Sequence, residues 1–217
     1  MISRTRILCM FAVLLFIVST AQADVLNGRS RIGLFAGYAG RGGESKVIVS
    51  ETGVNVSSGT GGAMGGLIFG HWLQENMAVT ITISGHAIEN DVTSGTSGVT
   101  TQTTTIGAIH PGIRYYFPKS ALTSSWRPFL SATVGPFIGY EESTEVFTTI
   151  TVESNTEIAF GAKLGAGLDI QLSRMFMIDV YTGYNLMTDF ADPIGGRRNY
   201  SSGEFSFGLS YLFGHAK

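Results

Sequence analysis

The sequence predicts an all-β protein, an eight-stranded antiparallel transmembrane β-barrel of up-and-down topology that follows a cleaved signal peptide. Three observations predict it: a short apolar leader, eight segments in which bulky apolar residues alternate with small ones, and tight turns that alternate with long polar connections. Charged residues make up 14% of the chain, well below the roughly 25% of an average soluble domain. A low charge content with regular alternation favours a wall that faces lipid.

The start of the chain has the organisation of a secretory signal. Two arginines precede an apolar run at residues 7–18, and an Ala-Gln-Ala cleavage pattern ends at Ala23. The apolar run is too short for a spanning helix, which needs about 20 residues. We therefore expect residues 1–23 to be removed as a signal peptide and residues 24–217 to form the barrel domain. Cys9 is the only cysteine and lies in the leader, so no disulfide or thiolate metal site is expected.

Eight segments of about ten residues or more alternate with a period of two, and no helical period competes with them. In the sixth segment, Phe160 and Leu164 share a bulky apolar face, whereas Gly161 and Lys163 share the other face. The second segment is ambiguous because both of its faces are apolar. The predicted strands are residues 31–40, 63–73, 77–88, 104–117, 128–140, 156–171, 175–187 and 204–213.

A small closed barrel in lipid explains both faces of these segments. The bulky face meets acyl chains, while the small face crowds into a lumen that eight strands leave only wide enough for side chains. Closure is required because lipid offers no hydrogen-bond partner to an open sheet edge.

The connections between the segments support this topology. Residues 74–76 and 172–174 form tight turns, which outer-membrane barrels place in the periplasm, whereas their longer loops are extracellular. The connection at 118–127 is longer than a typical periplasmic turn. The predicted long loops are rich in Gly, Ser and Thr and comprise residues 41–62, 89–103, 141–155 and 188–203.

Aromatic residues cluster near the ends of the segments, which is typical of the belts that mark the two membrane interfaces. The predicted periplasmic belt contains Trp72, Tyr115, Phe117, Phe176, Tyr211 and Phe213, and the predicted outer belt contains Tyr38, Tyr140 and Tyr184.

Five charged residues are predicted to face the lumen and form the candidate site: Arg114, Lys163, Asp169, Asp179 and Glu204. Charges at membrane depth are costly unless they are paired or hydrated. We expect Asp169 and Asp179 to lie about level, with Arg114 reaching both of them. Lys163 and Glu204 are expected as further members towards the loops. A salt-bridge network that fills and stiffens the lumen is favoured over an ion pathway or gate, because eight strands leave little open space.

We expect no catalytic residue, no cofactor and no metal site. The nearest arrangement to a catalytic pair is Ser84 beside His86, but serines are plentiful enough for such a pair to arise by chance. His110 is also predicted to face the lumen. Gly165 and Gly167 lack the third glycine of a dinucleotide fingerprint. The balance of 14 bases and 16 acids gives no reason to expect nucleic acid as a partner.

Two stretches carry a family resemblance, GAGLDIQLSRMFMIDV at residues 165–180 and AIHPGIRYYFP at residues 108–118. They resemble strands of the small outer-membrane β-barrel superfamily, which includes the transmembrane domain of outer membrane protein A and its opacity-like relatives. The resemblance implies a location in the cell outer membrane, with membrane lipid and lipopolysaccharide as surroundings. It also implies that the extracellular loops meet a ligand or a host surface. One departure is that the chain continues past Phe213, whereas such barrels commonly end on an aromatic residue.

The favoured function is a structural or surface-interaction role, with the lumen filled by a charge network. The alternative is a narrow passive channel for ions or small solutes. A periplasmic lipocalin-like carrier and a lipid A-modifying enzyme are less favoured hypotheses.

Overall fold

The computed structural model of the chain describes residues 26–40, 46–50, 53–57, 61–95, 98–117, 125–146 and 150–215. The predicted signal peptide lies outside the described residues and stays a prediction. Within the described part of the chain, no helix is long and apolar enough to cross a membrane.

Regular structure in the described residues consists of ten β-strands. In chain order they are β1 Ser30–Gly40, β2 Lys46–Ser50, β3 Gly53–Ser57, β4 Gly61–Gln74, β5 Met77–Gly95, β6 Gly98–Tyr116, β7 Trp126–Val146, β8 Ile150–Gln171, β9 Phe176–Met187 and β10 Ser202–Phe213.

Eight of these strands close into a barrel, which confirms the predicted fold class. β1 pairs with β4 on one side and with β10 on the other, and β4 to β10 pair in chain order, always antiparallel. Each of the eight predicted segments corresponds to one barrel strand. The remaining strands, β2 and β3, form a hairpin that pairs with the end of β5.

The ambiguous second segment is resolved by burial. Ile68 and Trp72 of β4 are buried in the lumen, while Leu67 and Phe69 are exposed on the outside. The same alternation runs around the barrel, so the exposed face of each strand is apolar and available to lipid.

Three of the predicted long loops are wrong in most of their length. β2, β3 and the start of β4 lie within 41–62, and β5 to β8 run on through 89–103 and 141–155. β5 and β6 each have 19 residues, β7 has 21 and β8 has 22, whereas a membrane-spanning strand needs about 9–11. Threonine and valine in these stretches favour strand structure. Together with β2 and β3, the extensions of β5 to β8 form what we call the outer sheet, in the order β2-β3-β5-β6-β7-β8.

The aromatic belts follow the sequence prediction with one error. The other eight predicted belt residues are exposed on the outside of the barrel, but Trp72 is 0% exposed and lies inside. β4 presents Trp72 on the same face as Met64 and Ile68, so alternation directs it inward. Trp126, which is 42% exposed at the start of β7, is a tryptophan on the outside at this end of the barrel.

Candidate functional site

The lumen holds a cluster of two arginines and two aspartates near the end of the barrel that carries the tight turns. Asp169 on β8 and Asp179 on β9 are direct cross-strand partners. Arg114 Nη1 lies 3.2 Å from Asp169 Oδ1 and 3.0 Å from Asp179 Oδ1. Arg31 Nη1 lies 3.1 Å from Asp169 Oδ2 and 2.6 Å from Asp179 Oδ1. These four residues, which we call the lower cluster, carry two positive and two negative charges and are therefore neutral as a set.

Hydroxyl groups and aromatic rings complete the surroundings of the lower cluster. Tyr116 donates a hydrogen bond of 2.7 Å to Asp169 Oδ2, and Ser210 donates one of 2.7 Å to Asp179 Oδ2. The guanidinium carbon of Arg114 lies 4.0 Å from the ring centroid of Phe129, within the range of a cation–π interaction. Buried carboxylates with this many donors are satisfied by the protein itself.

A second ion pair lies further towards the loops. Lys163 Nζ is 3.0 Å from Glu204 Oε2, which also accepts a hydrogen bond of 3.1 Å from Asn185. We call Lys163 and Glu204 the upper pair. A cavity of about 50 Å³, lined by residues of both groups, separates the upper pair from the lower cluster. That volume is enough for about three water molecules.

The structure therefore places the five candidate residues in two groups. Arg114 contacts both Asp169 and Asp179, whereas Lys163 and Glu204 pair with each other and form no ion pair with the lower cluster among the described contacts. What these five residues do for the protein stays a prediction.

Arg31 is the member of the lower cluster that the sequence analysis missed. Alternation could have found it, because Arg31 shares one face of β1 with Gly33 and Gly37, while Ile32 and Leu34 share the other. A charged residue on the same face of a strand as its glycines points into the lumen. Its side chain is the most buried cation of the site, with only 1% exposed.

The turn end of the lumen is closed by apolar side chains and by the chain that precedes β1. Gly28 N donates to the carbonyl of Trp72 at 2.9 Å, and Arg29 Nη2 donates to the carbonyl of Arg174 at 2.7 Å, so this segment is fixed at the opening. The buried cluster beneath it consists of Leu26, Trp72, Ala78, Tyr116, Phe129, Met177 and Leu212.

The loop end is closed by residues 188–201, which we call the lid. The lid is irregular, as predicted for a loop, but it folds back over the barrel. Gly195 N donates to Glu141 Oε2 at 2.7 Å, and Asn199 Nδ2 donates to the carbonyl of Met187 at 2.9 Å. Apolar lid residues complete a buried cluster with the barrel wall, formed by Ile106, Ala108, Phe137, Ala159, Met187, Phe190, Ile194 and Tyr200.

The two histidines of the barrel interior are buried and lie apart from lipid. His110 packs edge-on against Phe137, with ring centroids 4.5 Å apart. Ser84 and His86 also face the lumen, and neither Ser84 Oγ nor His86 Nε2 makes a hydrogen bond within the described residues. Within the same residues, no group of three His, Cys, Asp or Glu side chains is placed to hold a metal ion. A lipid A-modifying site would need to open towards lipid, which this serine and histidine do not.

Comparison with known structures supports the same fold. The chain is 14% identical to Neisserial surface protein A over 86% of this chain and 100% of that one, with a TM-score of 0.51. It is 16% identical to Ail, the attachment invasion locus protein of Yersinia pestis, over 86% and 99%, with a TM-score of 0.49. For OprG from Pseudomonas aeruginosa the identity is 13% over 88% and 100%, with a TM-score of 0.44. The likeness to Neisserial surface protein A shows the fold alone. No curated protein sequence matches the chain.

The family follows from the sequence as a whole. Residues 9–213 match the family described as outer membrane protein beta-barrel domain. That match covers far more than half of the chain, and the closed eight-stranded barrel agrees with it. A soluble periplasmic carrier does not fit this assignment. The chain belongs to the outer membrane protein beta-barrel family, and it is a barrel of the bacterial outer membrane.

Proposed function

We propose that this barrel is closed to ions and solutes and serves as a structural support that presents its outer sheet at the cell surface. The observation that supports the proposal is the sequence of groups along the lumen: an apolar cluster lies at each end, and between them lie the lower cluster and the upper pair.

An ion on its way through the lumen would meet two different obstacles. The apolar side chains at the two ends do not replace its hydration shell, and loss of that shell costs several kcal/mol or more for a charge. The lower cluster would also have to separate, which is unfavourable because it leaves buried charges without their partners. Both obstacles act in series, so a thermal opening of one of them does not open the lumen.

The outer sheet supports the surface-interaction half of the proposal. It extends the barrel wall beyond the length that a membrane needs, and its residues Glu153, Ser154, Asn155 and Thr156 are exposed on both faces of β8. A sheet that is open on both faces is available to molecules outside the cell. Membrane lipid and lipopolysaccharide remain the proposed neighbours of the barrel wall.

The test is conductance in planar lipid bilayers. Purified, refolded protein is expected to give no stepwise current, at protein concentrations where a known porin does. The triple variant Phe190→Ala, Arg31→Ala and Arg114→Ala is the positive control for an opened lumen. It removes one lid side chain and both guanidinium groups of the lower cluster. The proposal would be contradicted if the wild type gave stepwise currents and Lys163→Ala changed their amplitude.

The second candidate function is a narrow passive channel, and the cavity between the lower cluster and the upper pair favours it. Hydroxyl groups of Thr80, Thr82, Ser131 and Thr133 line that cavity. A cavity with charged and hydroxyl-bearing residues in its wall would be one element of an ion path if the two ends opened together.

A further inference from the structure

One strand of the outer sheet has a free edge. β8 pairs with β7 along its whole length, from Ile150 to Gln171. On its other side, β8 pairs with β9 only from Gly161 to Gln171. Among the described residues, 150–159 therefore have no strand partner on this side and form an edge, and an edge strand presents unpaired N–H and C=O groups to its surroundings.

The direction of those backbone groups is known from the last bonds of the β8–β9 ladder. Thr188 N donates to the carbonyl of Phe160 at 2.8 Å, and Phe160 N donates to Thr188 Oγ1 at 3.1 Å. Backbone groups of a strand alternate between its two sides, so every second residue repeats the direction of Phe160. The residues that direct N–H and C=O to the free side are therefore Ile158, Thr156, Ser154 and Val152.

This edge lacks most of the features that protect sheet edges from pairing. Proline, lysine and bulges are the usual ones. Residues 150–160 contain no proline, lysine or arginine. The register with β7 runs without a break from Trp126 opposite Ile170 to Val146 opposite Ile150. The charges on this edge are those of Glu153 and Glu157.

The charges of the outer sheet indicate which class of partner its free edge would bind. Seven acidic residues and one basic residue lie on its described strands, a difference of 1 − 7 = −6: Glu89, Asp91, Glu141, Glu142, Glu145, Glu153 and Glu157 against Lys46. Glu153 and Glu157 share the face of β8 that includes buried Ala159, and Glu141 lies on the same side of β7, two positions from Gly139. A second copy of the chain that paired along the same edge would bring like charges together, which is unfavourable.

We propose that the free edge of β8 binds an extended, Lys- or Arg-rich segment of another protein, which adds to the outer sheet as a further strand. Main-chain hydrogen bonds to the four residues whose N–H and C=O face the free edge supply affinity. Basic side chains at alternate positions of the partner, opposite Glu153 and Glu157, supply selectivity. The inference rests on the surface-interaction half of the proposed function and names its partner class.

The first experiment measures peptide binding by fluorescence anisotropy, with the full barrel in lipid nanodiscs. The probe is a labelled ten-residue peptide of alternating Lys and Thr. One matched peptide has the same charges but N-methyl groups on alternate backbone amides, and another replaces each Lys with Glu. The Lys–Thr peptide is expected to bind at least tenfold more tightly than either. Equal binding of the N-methylated peptide would overturn the inference, because charge alone would then account for the affinity.

The second experiment alters the edge of the barrel itself. Thr156→Pro removes one N–H that points to the free side and leaves the bonds to β7 in place, since proline is tolerated on edge strands. Thr156→Val keeps the backbone donor and is the matched control. We expect at least a tenfold loss of peptide affinity for the proline variant and less than a twofold change for the valine variant.

Folding and charge are checked in the same series. Each variant is used only if it still migrates as a folded barrel before boiling, and Ser154→Pro replaces Thr156→Pro if the latter does not. The double variant Glu153→Gln, Glu157→Gln should weaken binding several-fold and flatten its dependence on salt. A folded proline variant that binds like the wild type overturns the inference. If the wild type is also non-conducting, the closed-barrel proposal stands without it.

Discussion

Asp169 and Asp179 are direct cross-strand partners inside the barrel, and both accept hydrogen bonds from the same two guanidinium groups. Two carboxylates at this separation repel each other in a poorly hydrated interior unless cations lie between them. Arg31 on β1 and Arg114 on β6 supply those cations. The stability of this end of the barrel therefore depends on both arginines together.

Removing either arginine is expected to destabilise the barrel. Arg31→Ala and Arg114→Ala each leave two aspartates with one cation, and removing one member of a buried charge set costs about 3–5 kcal/mol. Arg31→Ala should have the larger effect, because Arg31 makes the shorter contact to Asp179. The measurement is the urea midpoint of unfolding in lipid vesicles.

A compensating change tests the same idea. Asp169→Asn in the Arg114→Ala background restores charge balance and should recover part of the lost stability. The surface variant Arg174→Ala serves as the control. An Arg114→Ala midpoint equal to that of the wild type would mean that the lower cluster does not stabilise the barrel.

Leu164→Arg is expected to block folding into bilayers. Leu164 lies on β8 with 53% of its surface exposed on the outer face, and an arginine at the bilayer midplane costs about 2–4 kcal/mol. Leu164→Ile is the matched control for the change of shape. The shift in gel migration on boiling reports the folded fraction. If the arginine variant folded as the wild type does, the assignment of the lipid face of β8 would be wrong.

Gly165→Ala is expected to be poorly tolerated, although it adds only a methyl group. A methyl group at Gly165 would lie 2.5 Å from the carbonyl oxygen of Thr182 and would also overlap the Tyr181 hydroxyl. Overpacking of this kind typically costs 1–3 kcal/mol. Gly85→Ala is the control, because a methyl group there meets nothing within 4 Å. Equal unfolding midpoints for the two variants would show that the residues around Gly165 shift at little cost to accommodate the methyl group.

Cysteine labelling tests the orientation of the barrel. With the signal peptide removed, the chain contains no cysteine, so each introduced thiol reports on one position alone. A membrane-impermeant maleimide should label Asp192→Cys in the lid on intact cells. Glu75→Cys, in the tight turn between β4 and β5, should react only after the outer membrane is opened. The reverse pattern would mean that the lid faces the periplasm.

Alternation along the strands made most of the barrel predictable. A period of two fixes which side chains face lipid, so Leu164 could be placed outside and Lys163 inside from the sequence. Trp72 is misplaced by the sequence because both faces of its segment are apolar, so alternation does not choose between them and the interfacial preference of tryptophan favours the outside. In β1, by contrast, alternation alone places Arg31 inside.

Features that depend on contacts between distant segments could not be read from the sequence. Residues 89–103 have a composition that suits loops as well as strands, and pairing with β3, with β7 and with one another makes their described part strands. The lid depends on Phe190 and Ile194 reaching a wall that four strands, β6 to β9, build. No local pattern indicates that a loop of this composition folds inward.

The lower cluster also links charge to the order in which the barrel is completed. Arg31 belongs to the first strand, while the two aspartates belong to β8 and β9, so Arg31 reaches them across the junction of β1 with β10. In a curled intermediate whose junction is still open, both aspartates face Arg114 alone, and these three residues carry a net charge of −1. Docking of β1 neutralises that charge. Closure of the barrel therefore also removes an uncompensated charge from its interior. This electrostatic gain favours the closed barrel over a half-closed intermediate in the membrane.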